Sequence, residues 1–360
     1  YDPKSDRRSQ LSKEYYELEG ETIKLRIGDI IERQLQNDDM VALNRQPTLR
    51  PESIMGFKIK ISNEKAMRLN LAIMPPFGAD CDGDEMNIHV PQDMKAVAEL
   101  EYLLNVDEHI LTPQRNGPCI GLVQDGLLGG YLMTLHDTLV SRNIAFDCMS
   151  NIKEFNFTEF INRAKIYYPK FIYKGTLRSR IPGKLLFSAL LPSTFHYEKK
   201  TDTDEEHPVV KIENGIILPD SGPLDKNTIG IKNGAIHHYL YKEYSVGECI
   251  KFLSESQFVV NCWLHARGFS VGLSDCMINN YDKIEEVLIK TDIECQEKIE
   301  IGGEMLEEQI NYILNSATSV GSKLSKEGLK DGLKNRFVVM YKSGAKGTHI
   351  NCSQITAFVG

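Results

Sequence analysis

Three aspartates recur at every second position in the segment Gly78-Ala-Asp-Cys-Asp-Gly-Asp-Glu-Met-Asn-Ile-His89. Three carboxylates so close together are costly unless a cation neutralises them. Gly83 permits a tight bend that would place Asp80, Asp82 and Asp84 around a single ion. Because all the ligand atoms are oxygens, a hard cation such as Mg²⁺ or Ca²⁺ is favoured. The pattern predicts a metal site, and its plainer alternative is an exposed acidic turn.

An EF-hand calcium loop is one specific hypothesis that the spacing can test. That loop needs glycine at its sixth position and glutamate at its twelfth. Counted from Asp80, those positions hold Glu85 and Pro91, and the glycine comes too early. The spacing therefore excludes an EF-hand. Two-metal nucleotidyl transfer is the better chemical account, because there a cation stabilises an attacking oxygen and the charge that develops on a phosphate.

Other catalytic patterns are missing from the sequence. It contains no P-loop and no G-x-G-x-x-G segment. Nothing places His89, His237 and His238 together, so we predict that they are core or surface residues. The eight cysteines are scattered, with no C-x-x-C pair. This argues against a zinc ribbon or a disulfide framework and indicates a reducing compartment.

The net charge of −8 argues against a free-standing nucleic-acid binder, yet two segments are locally basic. From Arg45 to Arg68 there are six basic residues and two acidic ones. From Arg163 to Lys184 there are seven basic residues and no acidic one, interleaved with four aromatic residues. Each segment is either a solvated face or a surface that binds phosphates.

The elements that would position the aspartates are predicted to be short strands. Between residues 23 and 90 the alternation of apolar and polar residues is typical of half-buried strands. The predicted strands are Ile23–Ile27, Met40–Leu43, Phe57–Ile61 and Leu69–Ile73. Short strands separated by turns indicate a compact barrel. A helix is predicted from Pro91 to Val106, with Asp93 at the positive end of its dipole.

The character of the chain changes near residue 245. Before it, residues 110–240 show no long helical period, and the polar run Glu198–Pro208 predicts a mobile loop. Asn214-Gly215 predicts the turn of a hairpin that spans Val209–Leu218. After it, apolar spacing predicts helices. These are Val246–Arg267 with Gly268 as its cap, a helical hairpin of Tyr281–Ile301 and Glu304–Asn315, and a weaker helix Lys323–Met340.

The aspartate segment also carries a family resemblance. Ala79-Asp-Cys-Asp-Gly-Asp-Glu-Met-Asn87 resembles NADFDGDEMN, the signature of the largest subunit of DNA-directed, multi-subunit RNA polymerases from cells and large DNA viruses. Four further blocks resemble that family, occur in its order and extend the resemblance over roughly residues 20 to 360. They are Asn44-Arg-Gln-Pro-Thr-Leu49, Thr112–Cys119 with Gly121–Asp125, Asn261–His265 with Gly268–Asp275, and Ser343–Thr348 with Asn351, Gln354 and Gly360.

The resemblance implies an α+β fold with three regions. Residues 1–115 would form a double-psi β-barrel that carries the active site. Residues 116–240 would form a mixed α/β region like the pore of the family, and residues 241–360 a helical funnel. The implied partners are the second-largest subunit, smaller subunits, the DNA template, the RNA transcript and NTPs, and no membrane. The implied location is the nucleus, or the cytoplasm or virion for a large DNA virus.

The resemblance also implies roles for individual residues. Asp80, Asp82 and Asp84 would hold catalytic Mg²⁺ during two-metal transfer of ribonucleotides from NTPs to an RNA 3′ end. Arg45 would lie beside the sugar of the incoming nucleotide, and its alternative role is an ion pair with a nearby carboxylate. Lys346 would lie near the triphosphate, and its alternative is a solvated loop lysine.

Three positions depart from the family pattern. Gly78 replaces an asparagine whose side chain would contact the ribose, which puts the usual selection of ribose in doubt. Cys81 replaces a phenylalanine and is predicted to be a core thiol. Arg50 replaces a histidine.

The ends of the sequence suggest that it is an internal fragment. The chain begins at Tyr1 without an initiator methionine, ends within a family block, and lacks the clamp, bridge helix and trigger loop. We predict that it is inactive alone. Two other hypotheses stay open: an RNA-dependent RNA polymerase of the RNA-silencing type, which shares the D-x-D-G-D core, and an assembly module without catalytic activity.

Overall fold

The computed structural model describes residues 32–201, 206–303, 305–329 and 335–357. The predicted strand Ile23–Ile27 lies outside these residues. The described part combines many helices with several small antiparallel sheets, as the α+β class predicts. No helix in this part is long and apolar enough to cross a membrane.

The segment before the aspartates forms a three-stranded antiparallel sheet. Its order is β2-β1-β3, with β1 at Met40–Asn44, β2 at Ile54–Lys58 and β3 at Asn87–His89. Strand β1 is buried along its whole length because its two faces pack against different apolar clusters. The prediction for β1 is confirmed. The prediction for β2 is only partly right, because the strand begins before Phe57 and ends at Lys58, three residues before the predicted end.

The predicted strand Leu69–Ile73 is wrong. Leu71–Ile73 forms a 3₁₀ helix, and α1 (Met74–Phe77) follows it directly. Asn70 starts the turn, since its side-chain oxygen accepts a hydrogen bond from the N–H of Ala72. Two prolines then favour helix, because each has a fixed φ and neither can donate to a strand ladder.

The predicted helix Pro91–Val106 is shorter in the structure. Helix α2 spans Met94–Tyr102, and Asp93 caps it by accepting a hydrogen bond from the N–H of Ala96 at 2.7 Å. A separate 3₁₀ helix, Val106–His109, follows it. Asp93 therefore lies at the positive end of the helix dipole, as predicted, and it is the capping residue.

In the middle of the chain, short helices and strands pack around one large apolar core. Its helices are α3 (Asp125–Thr134), α4 (Arg142–Met149), α5 (Phe157–Tyr167), α6 (Gly183–Ser188) and α7 (Ile236–Glu243). Its strand pairs are β4 (Leu111–Thr112) with β5 (Gly117–Pro118), β6 (Leu139–Ser141) with β9 (Arg180–Pro182), and β7 (Ile172–Tyr173) with β8 (Thr176–Leu177). A three-stranded sheet follows the order β10-β11-β12, with β10 at Tyr197–Lys200, β11 at Val209–Glu213 and β12 at Ile216–Ile217.

The predicted hairpin is confirmed, and the predicted polar loop before it is partly wrong. Asn214 and Gly215 both have positive φ, as the turn between β11 and β12 requires. The first residues of the polar run belong to β10, which pairs with β11. Lys199 explains why this charged strand is ordered, because its ammonium donates hydrogen bonds to three backbone carbonyls. Residues 202–205 of the run lie outside the described part.

The C-terminal helices follow the predicted pattern in part. Helices α8 (Val246–Arg267) and α9 (Tyr281–Ile301) have the predicted bounds. Helix α10 (Leu306–Gly328) packs along α9 as the expected hairpin but runs past the predicted end at Asn315.

The predicted single helix Lys323–Met340 is wrong. Its beginning belongs to α10, which ends at Gly328, and α11 spans Arg336–Ser343. Asn335 starts the new helix by accepting hydrogen bonds from two backbone N–H groups of its first turn. Helix α12 (His349–Thr356) completes the described part, and residues 330–334 of the predicted helix lie outside it.

Candidate metal centre

A short loop between α1 and β3 carries the three aspartates. Gly78 caps the end of helix α1, and its φ of 60° and ψ of 27° lie in the left-handed region. The N–H of Gly78 donates to the carbonyls of Met74 and Pro75, which closes the helix end. Within the loop Gly83 has a φ of 128°, which only glycine adopts readily. The two glycines fold the chain back so that the aspartates share one side of the loop.

The structure brings the three predicted metal ligands together. Asp80, Asp82 and Asp84 are exposed, and each offers a carboxylate oxygen that lies within 4.8 Å of the other two. A hydrogen bond with Asp82, together with the negative charges of Asp82 and Asp84, raises the pKa of Asp80. An exposed cluster of carboxylate oxygens with this mutual repulsion fits a hard divalent cation.

Arg45 lies at the edge of the triad because of strand pairing. Asn44, the last residue of β1, pairs with Asn87, the first residue of β3. This pairing brings the residue after β1, Arg45, close to the loop that precedes β3. The Nε of Arg45 donates to the Oδ2 of Asp84 at 2.6 Å, and the backbone N–H of Asp80 donates to the same oxygen at 3.2 Å. These two hydrogen bonds lower the pKa of Asp84. The structure thus shows the ion-pair role of Arg45, and its contact with a nucleotide stays a prediction.

Lys346 occupies an exposed turn between α11 and α12. Its backbone N–H contacts the carbonyl of Met340 at 3.5 Å, and the N–H of Lys226 donates to the carbonyl of Ser343 to hold the turn against the middle of the chain. Within the described ranges, no hydrogen bond or ion pair joins Lys346 to the triad. Its proposed contact with a triphosphate therefore stays a prediction.

Two of the positions that depart from the family pattern lie in the aspartate loop. The Nη1 atom of Arg45 lies 3.9 Å from the point where a Cβ at Gly78 would stand, so a side chain there would lie beside the guanidinium. Cys81 is exposed, and the prediction of a core thiol is wrong. The alternation that turns the aspartates to one side leaves Cys81 in a surface loop with no core beneath it.

A basic cavity beside α1 contains residues that sequence reasoning missed. It measures about 380 Å³, and Arg50, Arg115 and Lys232 contribute its positive charges. Arg115 belongs to a block that carries the family resemblance and Arg50 directly follows one, whereas no local pattern marks Lys232. A larger cavity of about 880 Å³ is mostly apolar and contains none of the three aspartates, so its size does not make it an active site.

Comparison with protein families matches almost the whole chain. The model for RNA polymerase Rpb1, domain 2, matches residues 2–106. The model for Rpb1, domain 3, matches residues 109–276, and the model for Rpb1, domain 4, matches residues 290–360. The three domains therefore follow one another in their numbered order, and the aspartate loop falls within the first of them.

Similarity to curated proteins whose names include RPB1 extends this finding. DNA-directed RNA polymerase II subunits RPB1-A and RPB1-B of Trypanosoma brucei brucei are each 32% identical over 357 residues, covering 94% of this chain and 19% of those proteins. The "Probable DNA-directed RNA polymerase II subunit RPB1 homolog" of Invertebrate iridescent virus 6 is 34% identical over 360 residues, covering 94% of this chain and 33% of that protein. The chain spans about a fifth to a third of the length of these relatives. It belongs to the Rpb1 family, the largest subunits of RNA polymerases, and matches domains 2 to 4 of that subunit.

Proposed function

We propose that this chain carries the catalytic metal centre of a DNA-directed RNA polymerase. The enzyme would add ribonucleotides from NTPs to an RNA 3′ end under the direction of a DNA template. The observation that carries the proposal is the convergence of three carboxylates within 4.8 Å in a chain of the Rpb1 family. Because the chain spans only part of its relatives, the activity is assigned to an assembled enzyme, and we expect the chain alone to be inactive.

Asp80, Asp82 and Asp84 would hold Mg²⁺, since exposed carboxylate oxygens suit a hard cation that keeps part of its water. Bound there, Mg²⁺ would lower the pKa of the RNA 3′-hydroxyl and stabilise charge at the α-phosphate of the NTP. The carboxylates are ligands and not general bases, because a carboxylate that binds a divalent cation has little basicity left.

Arg45 and Lys346 would bind the incoming nucleotide. The Nε of Arg45 donates to Asp84, and no described residue accepts a hydrogen bond from the Nη atoms of Arg45. The Nη atoms could therefore donate to a sugar hydroxyl or a phosphate of the nucleotide. Gly78 has no side-chain amide to offer the ribose, so Arg45 is the adjacent group that can replace that contact. The exposed ammonium of Lys346 would neutralise part of the triphosphate.

The architecture that we propose has the three regions of the family. The sheet β2-β1-β3 with its aspartate loop supports a double-psi β-barrel over residues 1–115. The short elements around one core support a pore-like region over residues 116–240. The helical hairpin of α9 and α10 supports a funnel over residues 241–360.

The implied partners are the second-largest subunit, smaller subunits, a DNA template and an RNA transcript. Relatives from a eukaryote and a large DNA virus support a location in the nucleus, or in the cytoplasm or virion. An RNA-dependent polymerase of the RNA-silencing type is not favoured, because three consecutive Rpb1 domains match the chain. An assembly role without catalysis gives no reason for three converging carboxylates.

Titration with Mn²⁺ tests the metal centre in the purified chain. We expect the wild type to bind one ion tightly and Asp82→Ala to lose that binding, since removal of one of three carboxylates removes both a ligand and a negative charge. Glu85→Ala is the matched control, because it removes a neighbouring exposed carboxylate outside the triad. Electron paramagnetic resonance of free Mn²⁺ measures the binding. Equal binding by the wild type and Asp82→Ala would mean that the ion sits elsewhere and that the proposal is wrong.

Substitution of Arg45 is expected to strengthen metal binding. The guanidinium occupies an oxygen of Asp84 and places a positive charge at the triad, so Arg45→Gln should bind Mn²⁺ about fivefold more tightly. Arg68→Gln is the control, because Arg68 is an exposed arginine paired with a glutamate outside the triad. Weaker binding by Arg45→Gln than by the wild type would contradict this account of Arg45.

A further inference from the structure

The basic segment between Arg163 and Lys184 separates into two kinds of residue in the structure. Lys184 is buried and donates hydrogen bonds to two backbone carbonyls, and the guanidinium of Arg163 donates to the carbonyl of Asn214. These two cations stabilise the fold. The four cations between Pro169 and Ile181 are exposed, and they are Lys170, Lys174, Arg178 and Arg180. These four exposed cations have no role in the proposed metal centre.

The exposed cations come together because their elements pack on one another. Lys170 lies in a 3₁₀ helix, Pro169–Phe171, that contacts both β7 and β9. Strands β7 and β8 form a tight hairpin that presents Tyr173, Lys174 and Arg178. The Nζ of Lys174 and the Cζ of Arg178 lie 5.4 and 5.6 Å from the centre of the Tyr173 ring.

The tertiary structure adds a fifth cation from a separate part of the sequence. Ser141 pairs with Arg180 across β6 and β9, and the N–H of Arg142 donates to the carbonyl of Ser179 at 2.9 Å. Arg142 is exposed, and this backbone contact places it beside the exposed Ser179-Arg180 segment. Among the described residues, none of the five side chains forms an ion pair.

We propose that this surface, formed by Arg142, Lys170, Tyr173, Lys174, Arg178 and Arg180, binds single-stranded nucleic acid. Unpaired cations can neutralise successive phosphates, and the release of counterions drives that association. Tyr173 is 55% exposed, so its ring is available to stack with a base that is not already stacked in a duplex. Cations beside an exposed aromatic ring are the combination that binds single strands without sequence preference.

The surface is independent of the proposed catalytic role. Its residues belong to α4, to β7 and β9, to the 3₁₀ helix before β7 and to the residues that flank β8, whereas the aspartate loop lies between α1 and β3. The binding test can therefore be made without a divalent cation. Asp82→Ala should bind nucleic acid as the wild type does, so failure of one proposal can be told from failure of the other.

The experiment measures binding of a fluorescent single-stranded RNA of about 12 nucleotides to the full chain, in EDTA, over a range of salt concentrations. Five phosphate contacts predict a slope of log K against log salt of about −3.5. Lys174→Gln with Arg178→Gln should reduce that slope by about 1.4 and weaken binding about 20-fold in about 0.1 M salt. Tyr173→Leu should weaken binding about tenfold, whereas Tyr173→Phe should not.

Matched substitutions on the acidic helix α9 and on α10 are the controls. Lys283→Gln with Lys298→Gln removes the same charge from exposed positions, and Tyr312→Leu removes an exposed tyrosine. All three changes should leave RNA binding unaltered. An equal loss in the control and test pairs, or no loss in either, would overturn the proposal. Competition by poly-glutamate as effective as that by unlabelled RNA would also overturn it, and would indicate an acidic protein partner.

Discussion

Asp82→Asn is expected to lower the rate of nucleotide addition by the assembled polymerase at least about 10³-fold, because a metal ion supplies several kcal/mol of charge stabilisation to such a transition state. Asparagine keeps the size of the side chain but removes one of the three negative charges that converge at the centre. The measurement is single-nucleotide extension of an RNA primer on a DNA template.

A neighbouring substitution separates the loss of a ligand from a general loss of charge. Glu85→Gln removes an exposed carboxylate next to Asp84 but outside the triad, and it should retain most of the wild-type rate. Both variants must first be shown to assemble with the other subunits. Asp82→Asn extending primers within tenfold of the wild type would refute the assignment of the triad as the catalytic centre.

Phe252→Ala is expected to destabilise the chain by about 3–5 kcal/mol, the usual effect of emptying a large buried aromatic site. Phe252 is 1% exposed and lies in α8, which packs against α3, α4 and α7. Its ring meets that of Phe187 edge to face, with centroids 6.2 Å apart. Denaturant unfolding followed by circular dichroism measures the change.

Phe258 provides a control on the same helix. It is 61% exposed, so Phe258→Ala removes the same atoms from the same secondary structure without opening a cavity. We expect a change of less than about 0.5 kcal/mol. Equal destabilisation by the two substitutions would mean that helix propensity, and not burial, sets the stability at these positions.

Local sequence patterns predicted the elements that depend on near neighbours. The bounds of α8 and α9 followed from apolar spacing and from glycines at their ends, because helical hydrogen bonds and caps involve residues at most a few positions apart. Asn214-Gly215 predicted its hairpin for the same reason, since the turn needs positive φ at both residues. The strand predicted at Leu69–Ile73 was wrong. The alternation of apolar and polar residues there has the period of a strand, whereas Asn70 and the prolines after it favour helix.

The sequence by itself determined which residues could hold a metal. Asp80, Asp82 and Asp84 lie within five consecutive residues, so a bend at Gly83 suffices to bring them together. The same segment and the blocks around it were enough to indicate the family, which the domain models then showed.

Only the tertiary structure decided which distant residues join these groups. Arg45 reaches Asp84 because β1 pairs with β3, and Arg142 joins the basic surface because β6 pairs with β9. Neither strand pairing can be recognised from a local sequence pattern. Strand pairing is selected by the burial of whole faces and by hydrogen bonds between remote segments, so its outcome depends on the complete fold.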